Sequence, residues 1–360
     1  MKILHAAETI KGGVATVLKQ LVAAQQDDKE AYRIQCLIPA DQAGELDTAQ
    51  EENVVKWQRK GRSVGALISF ATAFCRTVIR FKPDVVHLHS SFAGVIGRLC
   101  LILLWPLVRP KVIYCPHAFS FLMQTSGAKK RIYALIEKAL LPMTDAIICV
   151  SQYEADQAEA HGIKNDKLFV IHNGVPQRHF IRPDKSLDAN INMLFVGRFD
   201  YQKGYDILLE AMKRNQNSNI RLTLIGDSVH STQQIEKLPQ AHYTGWLKAS
   251  QMESYFINAD VLVIPSRWEG FAMVPLEAMS YSLPVIASDA TSLPEVVIDK
   301  QTGYLFKNGD VNSLLSVFER LDKIDLICKG QKGNQLYIEN FTSRAMIVKT
   351  HSLYAEITKR

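Results

Sequence analysis

A chain of 360 residues with 47% hydrophobic and 22% charged content is not disordered, collagen-like or coiled-coil, and it can bury two domain-sized cores. The formal charge of +6 is uneven. Residues 1–183 carry a net +7, the remainder −1, and residues 54–111 hold ten basic side chains against Asp84 alone, which turns the first half toward an anionic partner.

The predicted strands come in chain order as short apolar runs: Ile3–Ala7, Ile34–Ile38, Val85–Leu88, Val112–Cys115, Ala146–Val150 and Leu168–Ile171, then Met193–Val196, Leu222–Ile225, Val261–Ile264 and Val285–Ala287. Continuous rather than alternating apolarity marks strands covered on both faces. Strand–helix repetition predicts an α/β architecture of doubly wound parallel sheets, occurring twice. A polar segment from Asn173 to Asn190, with Pro176 and Pro183, reads as the linker. No short-period repeat or low-complexity tract is visible. The longest apolar run, Leu99 to Val108, is cut by Pro106 and flanked by Arg98 and Arg109, too short to span a bilayer, and the opening residues lack an apolar segment long enough for a secretory signal, so none is expected. A soluble intracellular protein is the expectation. None of the six cysteines forms a C-x-x-C pair, and most lie within apolar runs, so they read as small buried hydrophobes rather than disulfide or zinc partners.

Ligands of open α/β sheets bind beyond the carboxyl ends of the strands. The first predicted strand is followed by Glu8-Thr-Ile-Lys-Gly12-Gly13-Val14, where paired glycines allow close approach of a phosphate to a helix start. It is neither a dinucleotide fingerprint nor a Walker A loop, and a plain tight turn explains it equally well. The first strand of the second half leads into Gly197-Arg198-Phe-Asp-Tyr-Gln-Lys203-Gly204. Arg198 and Lys203, five positions apart, can converge on one diphosphate, or can be ordinary surface cations. The most informative segment, Pro265-Ser-Arg-Trp-Glu269-Gly270-Phe271-Ala272-Met-Val-Pro275-Leu-Glu277, follows a buried strand. Pro275 suits a first helical turn, so two carboxylates flank backbone N–H groups at a helix start, a pattern that can grip vicinal hydroxyls and an anion.

These residues resemble the retaining GT-B-fold glycosyltransferases of glycosyltransferase family 4, bacterial surface-polysaccharide type. The likeness rests on the Glu269/Glu277 pair, Gly12-Gly13, Arg198 and Lys203, and the loop Pro116-His117-Ala118-Phe119. It rests also on Asp84-Val-Val-His-Leu-His89, His172-Asn173-Gly174-Val175, Gly226-Asp227, Thr244-Gly245 and Thr302-Gly303, in order over nearly the whole chain. The resemblance implies two Rossmann-like domains facing across a cleft: an acceptor-binding domain over residues 1–180, joined by a C-terminal helix over 343–360, and a nucleotide-sugar-binding domain over 190–342. It implies that Glu277 holds the ribose hydroxyls and that Glu269 contacts the donor sugar. Gly270, Phe271 and Ala272 would lie near sugar and phosphate, and Arg198 and Lys203 would neutralise the leaving diphosphate. His117 would sit near the donor sugar on the acceptor side, Gly13 would approach the diphosphate, Trp246 and Leu247 after Gly245 would lie near the base, and Gly12, Gly197 and Gly245 would also belong to the donor-binding set. Catalytic duty would fall on His117, Arg198, Lys203 and Glu269.

No cofactor and no metal are expected: the chain contains no Asp-x-Asp pair, and its own cations would stabilise the departing diphosphate. His87 and His89 share a strand face, but no third ligand is indicated, so packing or hydrogen bonding is their expected role. The helix expected over 62–82 carries Leu67, Phe70, Phe74, Val78 and Phe81 on one face and Arg62, Arg76 and Arg80 opposite. Its apolar face would pack on the sheet. Its basic face, aided by Lys129-Lys130-Arg131, could meet anionic lipid. The implied donor is a UDP-sugar, with GDP-mannose a competitor; the implied acceptor is a glycan or polyprenyl-linked glycan. The implied location is cytoplasmic, with peripheral contact on the cytoplasmic face of the inner membrane. No basic–aromatic nucleic-acid motif is present. The rival reading is a catalytically silent sugar-nucleotide-binding protein on the same fold.

Overall fold

The structure is a computed structural model that describes residues 1–59, 61, 63–123, 125–178, 180, 190–228 and 236–360. The chain divides into two compact units, Met1–Asn173 with Ser343–Arg360, and Gly174–Thr342.

The first unit is built on strands β1 (Lys2–Ala7), β2 (Arg33–Pro39), β3 (Val54–Trp57), β4 (Val85–His89), β5 (Lys111–Cys115), β6 (Ala146–Cys149) and β7 (Leu168–Val170). They form one parallel sheet in the order β3-β2-β1-β4-β5-β6-β7. Helices α1 (Gly13–Asp27), α2 (Val64–Phe81), α3 (Ser91–Leu104), α4 (Gly127–Leu140) and α5 (Gln152–Ala160) connect the strands. Both faces are covered, so β4 is buried along its length. Val86 and Leu88 of this strand join Leu4, Tyr114, Phe70 and Phe74 in the core. Ser63, Ser126 and Ser151 accept backbone N–H bonds at the starts of α2, α4 and α5, which sets where those helices begin. One polar knot crosses this core. Arg98, fully buried, donates to Glu137 Oε2 at 2.6 Å and to the Gly94 carbonyl at 2.8 Å. Tyr114 donates to Glu137 Oε1 at 2.9 Å and lies under the Arg98 guanidinium.

The second unit repeats the winding. Strands β8 (Ile191–Val196), β9 (Ile220–Ile225), β10 (His242–Gly245), β11 (Val261–Ile264), β12 (Val285–Ser288) and β13 (Gly303–Phe306) lie parallel in the order β10-β9-β8-β11-β12-β13. Helices α6 (Tyr205–Arg214), α7 (Ala249–Asn258), α8 (Met273–Ser280) and α9 (Leu293–Val296) lie between these strands in the chain, and α10 (Val311–Phe318) and α11 (Lys323–Asn340) follow β13. The last helix, α12 (Ser343–Lys359), belongs to the first unit. Each sheet reverses its strand order once, between β1 and β4 and between β8 and β11, and crevices at such reversals are where doubly wound sheets take ligands.

Two Rossmann-like parallel sheets were expected and are found. Strands β3, β10 and β13 were not anticipated, and all three are edge strands. An edge strand is covered less completely, so Val-Val-Lys-Trp and His-Tyr-Thr-Gly lack the continuous apolar run. The boundary between units falls at Asn173/Gly174, earlier than the segment between 180 and 190; residues 181–189 lie outside the described set. Helix α2 also requires a correction. It is long and apolar enough, by length and composition, to cross a membrane, although Phe70 and Phe74 are wholly buried in the core. Its outer face is not purely basic either: Val64, Ile68 and Ile79 stand exposed beside Arg76 and Arg80. Lys60 and Arg62 lie outside the described residues.

Candidate functional site

In the second unit, the loops after β8 and β11 meet at the strand-order reversal. Gly204, at a positive φ of 66°, brings them together: a Cβ there would lie 1.9 Å from the Pro265 carbonyl oxygen, so no larger residue fits without moving backbone. Gly226 plays the same part toward the Gly197 carbonyl, again at 1.9 Å. The loops are also stitched by polar bonds. Arg267 N donates to the Gln202 carbonyl at 2.8 Å, and Gln202 Nε2 to the Trp268 carbonyl at 3.2 Å. Arg267 holds Asp206 through two bonds of 2.7 Å and stacks on Tyr201, a bidentate grip that lysine could not reproduce.

Lys203 and Glu269, 66 positions apart, form an ion pair of 2.7 Å, and Ser266 Oγ donates to the same carboxylate oxygen. The Glu269 N–H donates to Thr291 Oγ1 at 2.9 Å, tying the loop after β12 to the site. Arg198 is held within its own loop instead, by Gln202 Oε1 at 2.8 Å and Asp200 Oδ2 at 3.2 Å. Phe271 and Ala272 are buried just ahead of α8, and Gly270 is half-buried beside Glu269. Glu277 sits within α8, and burial pushes its carboxyl up to about 7, opposed by the positive Arg178. Gly245, Trp246 and Leu247 close β10; Gly245 takes a positive φ of 71°, and Trp246 is exposed. The sequence reading missed Gln202, Ser266, Thr291 and Arg178, whose parts depend on the meeting of distant loops.

In the first unit, Gly12 precedes α1 at φ 58° with open space where a Cβ would stand, and Gly13 begins the helix. A cavity of about 470 Å³ opens at the carboxyl ends of β1, β4 and β5, lined by Glu8, Thr9, Ser90, Ser91, Met123 and Tyr133 among others. Glu8 is buried and paired with Arg59 at 3.2 Å. Hydroxyls and a carboxylate against an apolar wall suit a sugar, whose faces are apolar and whose rim is polar.

His117, in the loop after β5, has a φ of 53°, and Ala118 one of 99°. This unfavourable backbone is clamped by the buried carboxylate of Glu154, which accepts from the N–H groups of Ala118 (2.9 Å), Phe119 (3.1 Å) and Val150 (2.8 Å). His117 Nε2 lies 3.1 Å from His89 Nδ1, and His89 Nε2 lies 3.1 Å from His5 Nδ1. His5 stands opposite His87 in the β1–β4 register. His5, His87 and His89 place one ring nitrogen each within 4.8 Å of the others. The third ligand that the sequence did not indicate is thus present, but the His5–His89 hydrogen bond occupies two of these rings. Burial holds His5 and His117 down to about 4 and the His87 and His89 rings well below the usual histidine value, so all four are neutral near pH 7.

Comparison with known proteins agrees with this architecture. Residues 12–174 match the glycosyl transferase 4-like domain, and residues 177–334 match glycosyl transferases group 1. The chain is 41% identical over 329 residues to an uncharacterised 41.2 kDa protein in the cps region of Klebsiella pneumoniae, covering 89% of each chain. It is 30% identical to an uncharacterised glycosyltransferase of Methanocaldococcus jannaschii, covering 83% of each. With the capsular polysaccharide biosynthesis glycosyltransferase CapM of Staphylococcus aureus it shares 25% identity over 82% of this chain and 83% of that one. Its fold is similar to that of Anabaena Alr3699/HepE, solved in complex with UDP and glucose, with TM-score 0.81, 18% identity and coverage of 99% and 100%. Two matched domains and a relative of this identity over most of its length place the chain in the group 1 glycosyltransferases.

Proposed function

We propose that the protein is a retaining, metal-independent glycosyltransferase that moves a sugar from a nucleotide-sugar donor, a UDP-sugar by default, to a glycan or lipid-linked glycan in surface-polysaccharide biosynthesis. The observation that carries the reading is the Lys203–Glu269 pair at the strand-order reversal, with Glu277 one helix turn into α8. Breaking a glycosyl–phosphate bond leaves extra charge on the diphosphate. A lysine already fixed beside that position stabilises the transition state more than the ground state. Glu269 accepts from sugar hydroxyls, Glu277 from the ribose, and the backbone of Gly270–Ala272 faces sugar and phosphate. The HepE complex with UDP and glucose, a fold neighbour, supports a nucleotide-sugar donor. The CapM and cps-region relatives support a polysaccharide product. The cavity beside Ser90 and Glu8 is the acceptor site in this scheme.

Incubation with a panel of UDP- and GDP-sugars and a short glycan acceptor should release nucleoside diphosphate equally with and without a chelator. The product's anomeric proton coupling should match that of the donor. Activity lost to the chelator and restored by Mg²⁺ would contradict metal independence, an inverted anomer would contradict retention, and absence of turnover would favour the silent binding protein.

Donor affinity should also depend on pH. A ribose diol is best held by ionised Glu277, whereas burial keeps the free carboxyl protonated up to about 7. Binding therefore expels a proton, and affinity should fall as pH drops from 8 to 6, approaching tenfold per unit below the pKa. The ligand-free fold shows the opposite trend: a carboxyl raised from 4.5 loses stabilisation as pH rises from that value through 7. Glu277→Gln should flatten the affinity profile in calorimetric titrations; an unaltered slope would remove Glu277 from the ribose.

The membrane contact is proposed for the outer faces of α2, α3 and α4. Exposed Leu103 (79%) and Leu107 (73%), with Ile102 and Trp105, stand near Arg109, which stacks on Trp105. Ile132 and Leu135 of α4 follow Lys129, Lys130 and Arg131. Apolar side chains for insertion and cations for anionic headgroups together bind a lipid surface. Reversing Arg76 and Arg80 to Glu should weaken co-sedimentation with phosphatidylglycerol vesicles by at least about tenfold, on the scale of roughly 1 kcal/mol per basic residue. Equal sedimentation of variant and parent would refute the contact.

A further inference from the structure

We infer that Gln25, His5 and His89 form a buried relay of neutral side chains that fixes which ring nitrogen of His117 carries its proton, so that His89, His5 and Gln25 are positioning residues for His117. The inference rests on the reading that His117 sits near the donor sugar, where its ring can meet a hydroxyl, but the relay stands on contacts within the first unit. Four links connect in series. His351 Nε2 of α12 lies 3.4 Å from Gln25 Nε2, Gln25 Oε1 lies 2.9 Å from His5 Nε2, and the two 3.1 Å contacts continue through His89 to His117. His5, His89 and Gln25 are wholly buried, so water cannot stand in for a missing partner.

A neutral imidazole offers one donor and one acceptor, so the direction of one bond dictates the next. With the Gln25 carbonyl toward His5, His5 donates from Nε2 and accepts at Nδ1. His89 then donates from Nε2 and accepts at Nδ1, and His117 donates from Nε2. The His117 Nδ1 lone pair is left as an acceptor for a hydroxyl. Turning the Gln25 amide over would reverse every link and convert Nδ1 into a donor. His351 helps to set the amide, because its Nε2 accepts from the Gln25 NH₂ group, and the Tyr354 hydroxyl is a second partner of Gln25. The loop thus has two clamps: Glu154 fixes its backbone and the relay fixes its ring. A hydroxyl-reading group gains from both, since a histidine free to exchange tautomers offers the wrong partner part of the time.

The alternative occupant of this cluster is a divalent cation on His5, His87 and His89. Against it, the His87 and His89 rings stack at 4.0 Å and 29°, which holds their in-plane lone pairs in nearly parallel planes. In addition, the His5–His89 hydrogen bond would have to break.

Two-bond ¹H–¹⁵N spectra of the ¹⁵N-histidine-labelled full chain test this directly. Wild type should show His117 as a single Nε2–H tautomer. His351→Leu, at the far end of the relay and only half-buried, should convert the His117 signal to a mixture, as should His89→Leu. His89→Gln, which can accept and donate at once, should restore the single tautomer. In transfer assays His89→Leu should lower kcat roughly tenfold to hundredfold, the scale for loosening a positioned group, with the donor KM little changed and His89→Gln recovering most of the loss. An unchanged His117 tautomer in both leucine variants would overturn the relay. So would movement of the His5, His87 and His89 signals when stoichiometric zinc is added to chelator-washed protein. If the tautomer changes while kcat does not, the relay stands and the part assigned to His117 in transfer fails.

Discussion

Lys203→Ala should lower turnover by roughly 10²–10³, the scale for removing one preorganised group that stabilises developing charge, while leaving the fold intact. The side chain is partly exposed and bonded to Glu269 at 2.7 Å, so the truncation leaves no large void. The loss should fall on kcat more than on donor KM, because the diphosphate gains charge only as the glycosyl bond breaks. Lys203→Arg keeps the charge but not the point geometry, and should recover part of the rate. Arg198→Ala should cost less than Lys203→Ala, since Arg198 is held by Gln202 and Asp200 rather than by Glu269. Steady-state assays on purified variants decide the matter; an unchanged kcat for Lys203→Ala would remove it from the leaving-group role.

The largest stability effect is expected away from the second unit. Glu137→Leu should destabilise the first unit by about 3–5 kcal/mol, the usual cost of leaving a buried charge without its partner. Arg98 is 0% exposed and has Glu137 as its carboxylate, with the Gly94 carbonyl and Thr144 hydroxyl as neutral acceptors. The double variant Arg98→Met with Glu137→Leu removes both charges and should recover most of that loss, because the desolvation cost disappears with the pair. Tyr114 would then lose its 2.9 Å bond to Glu137 and keep the longer one, 3.4 Å, to Ser91 Oγ, which keeps the recovery incomplete. Denaturant titration of the single and double variants measures both effects. A single variant within 1 kcal/mol of wild type would show that the guanidinium finds water.

The contrast between these residues shows what can be read from sequence. The interior strands β1, β4, β8 and β11 are legible because burial on both faces demands runs that are mostly apolar, whereas edge strands such as β3 and β13 are under no such demand. Lys203 and Glu269 are legible because glycine and proline punctuate their loops. That they touch depends on Gly204 packing against Pro265, a contact between residues 61 positions apart. His87 and His89 advertise a shared face by their spacing, but the partner that completes the cluster, His5, reads as one polar residue in an apolar strand; only the β1–β4 register brings it opposite His87. Glu154 is hidden differently. Three positions after Ser151 at the start of α5, it reads as an ordinary capping acid, although its carboxylate holds the loop that carries His117. Arg98 and Glu137 sit on different helices, and no local pattern announces a buried pair. The cavity beside Glu8 and Ser90 is assembled from the ends of three strands and from α3 and α4, so no single segment predicts its shape.

The most direct test of the account is thermal denaturation of the full chain with UDP, GDP and ADP and their hexose conjugates, run in parallel on wild type, Lys203→Ala and Glu277→Gln. A ligand bound only by the native form raises apparent stability by RT ln(1 + L/Kd), with L the free ligand concentration. Conjugates of one base should raise the wild-type midpoint, with the rise reduced in both variants. No rise with any nucleotide, or the same rise in all three proteins, would contradict the account.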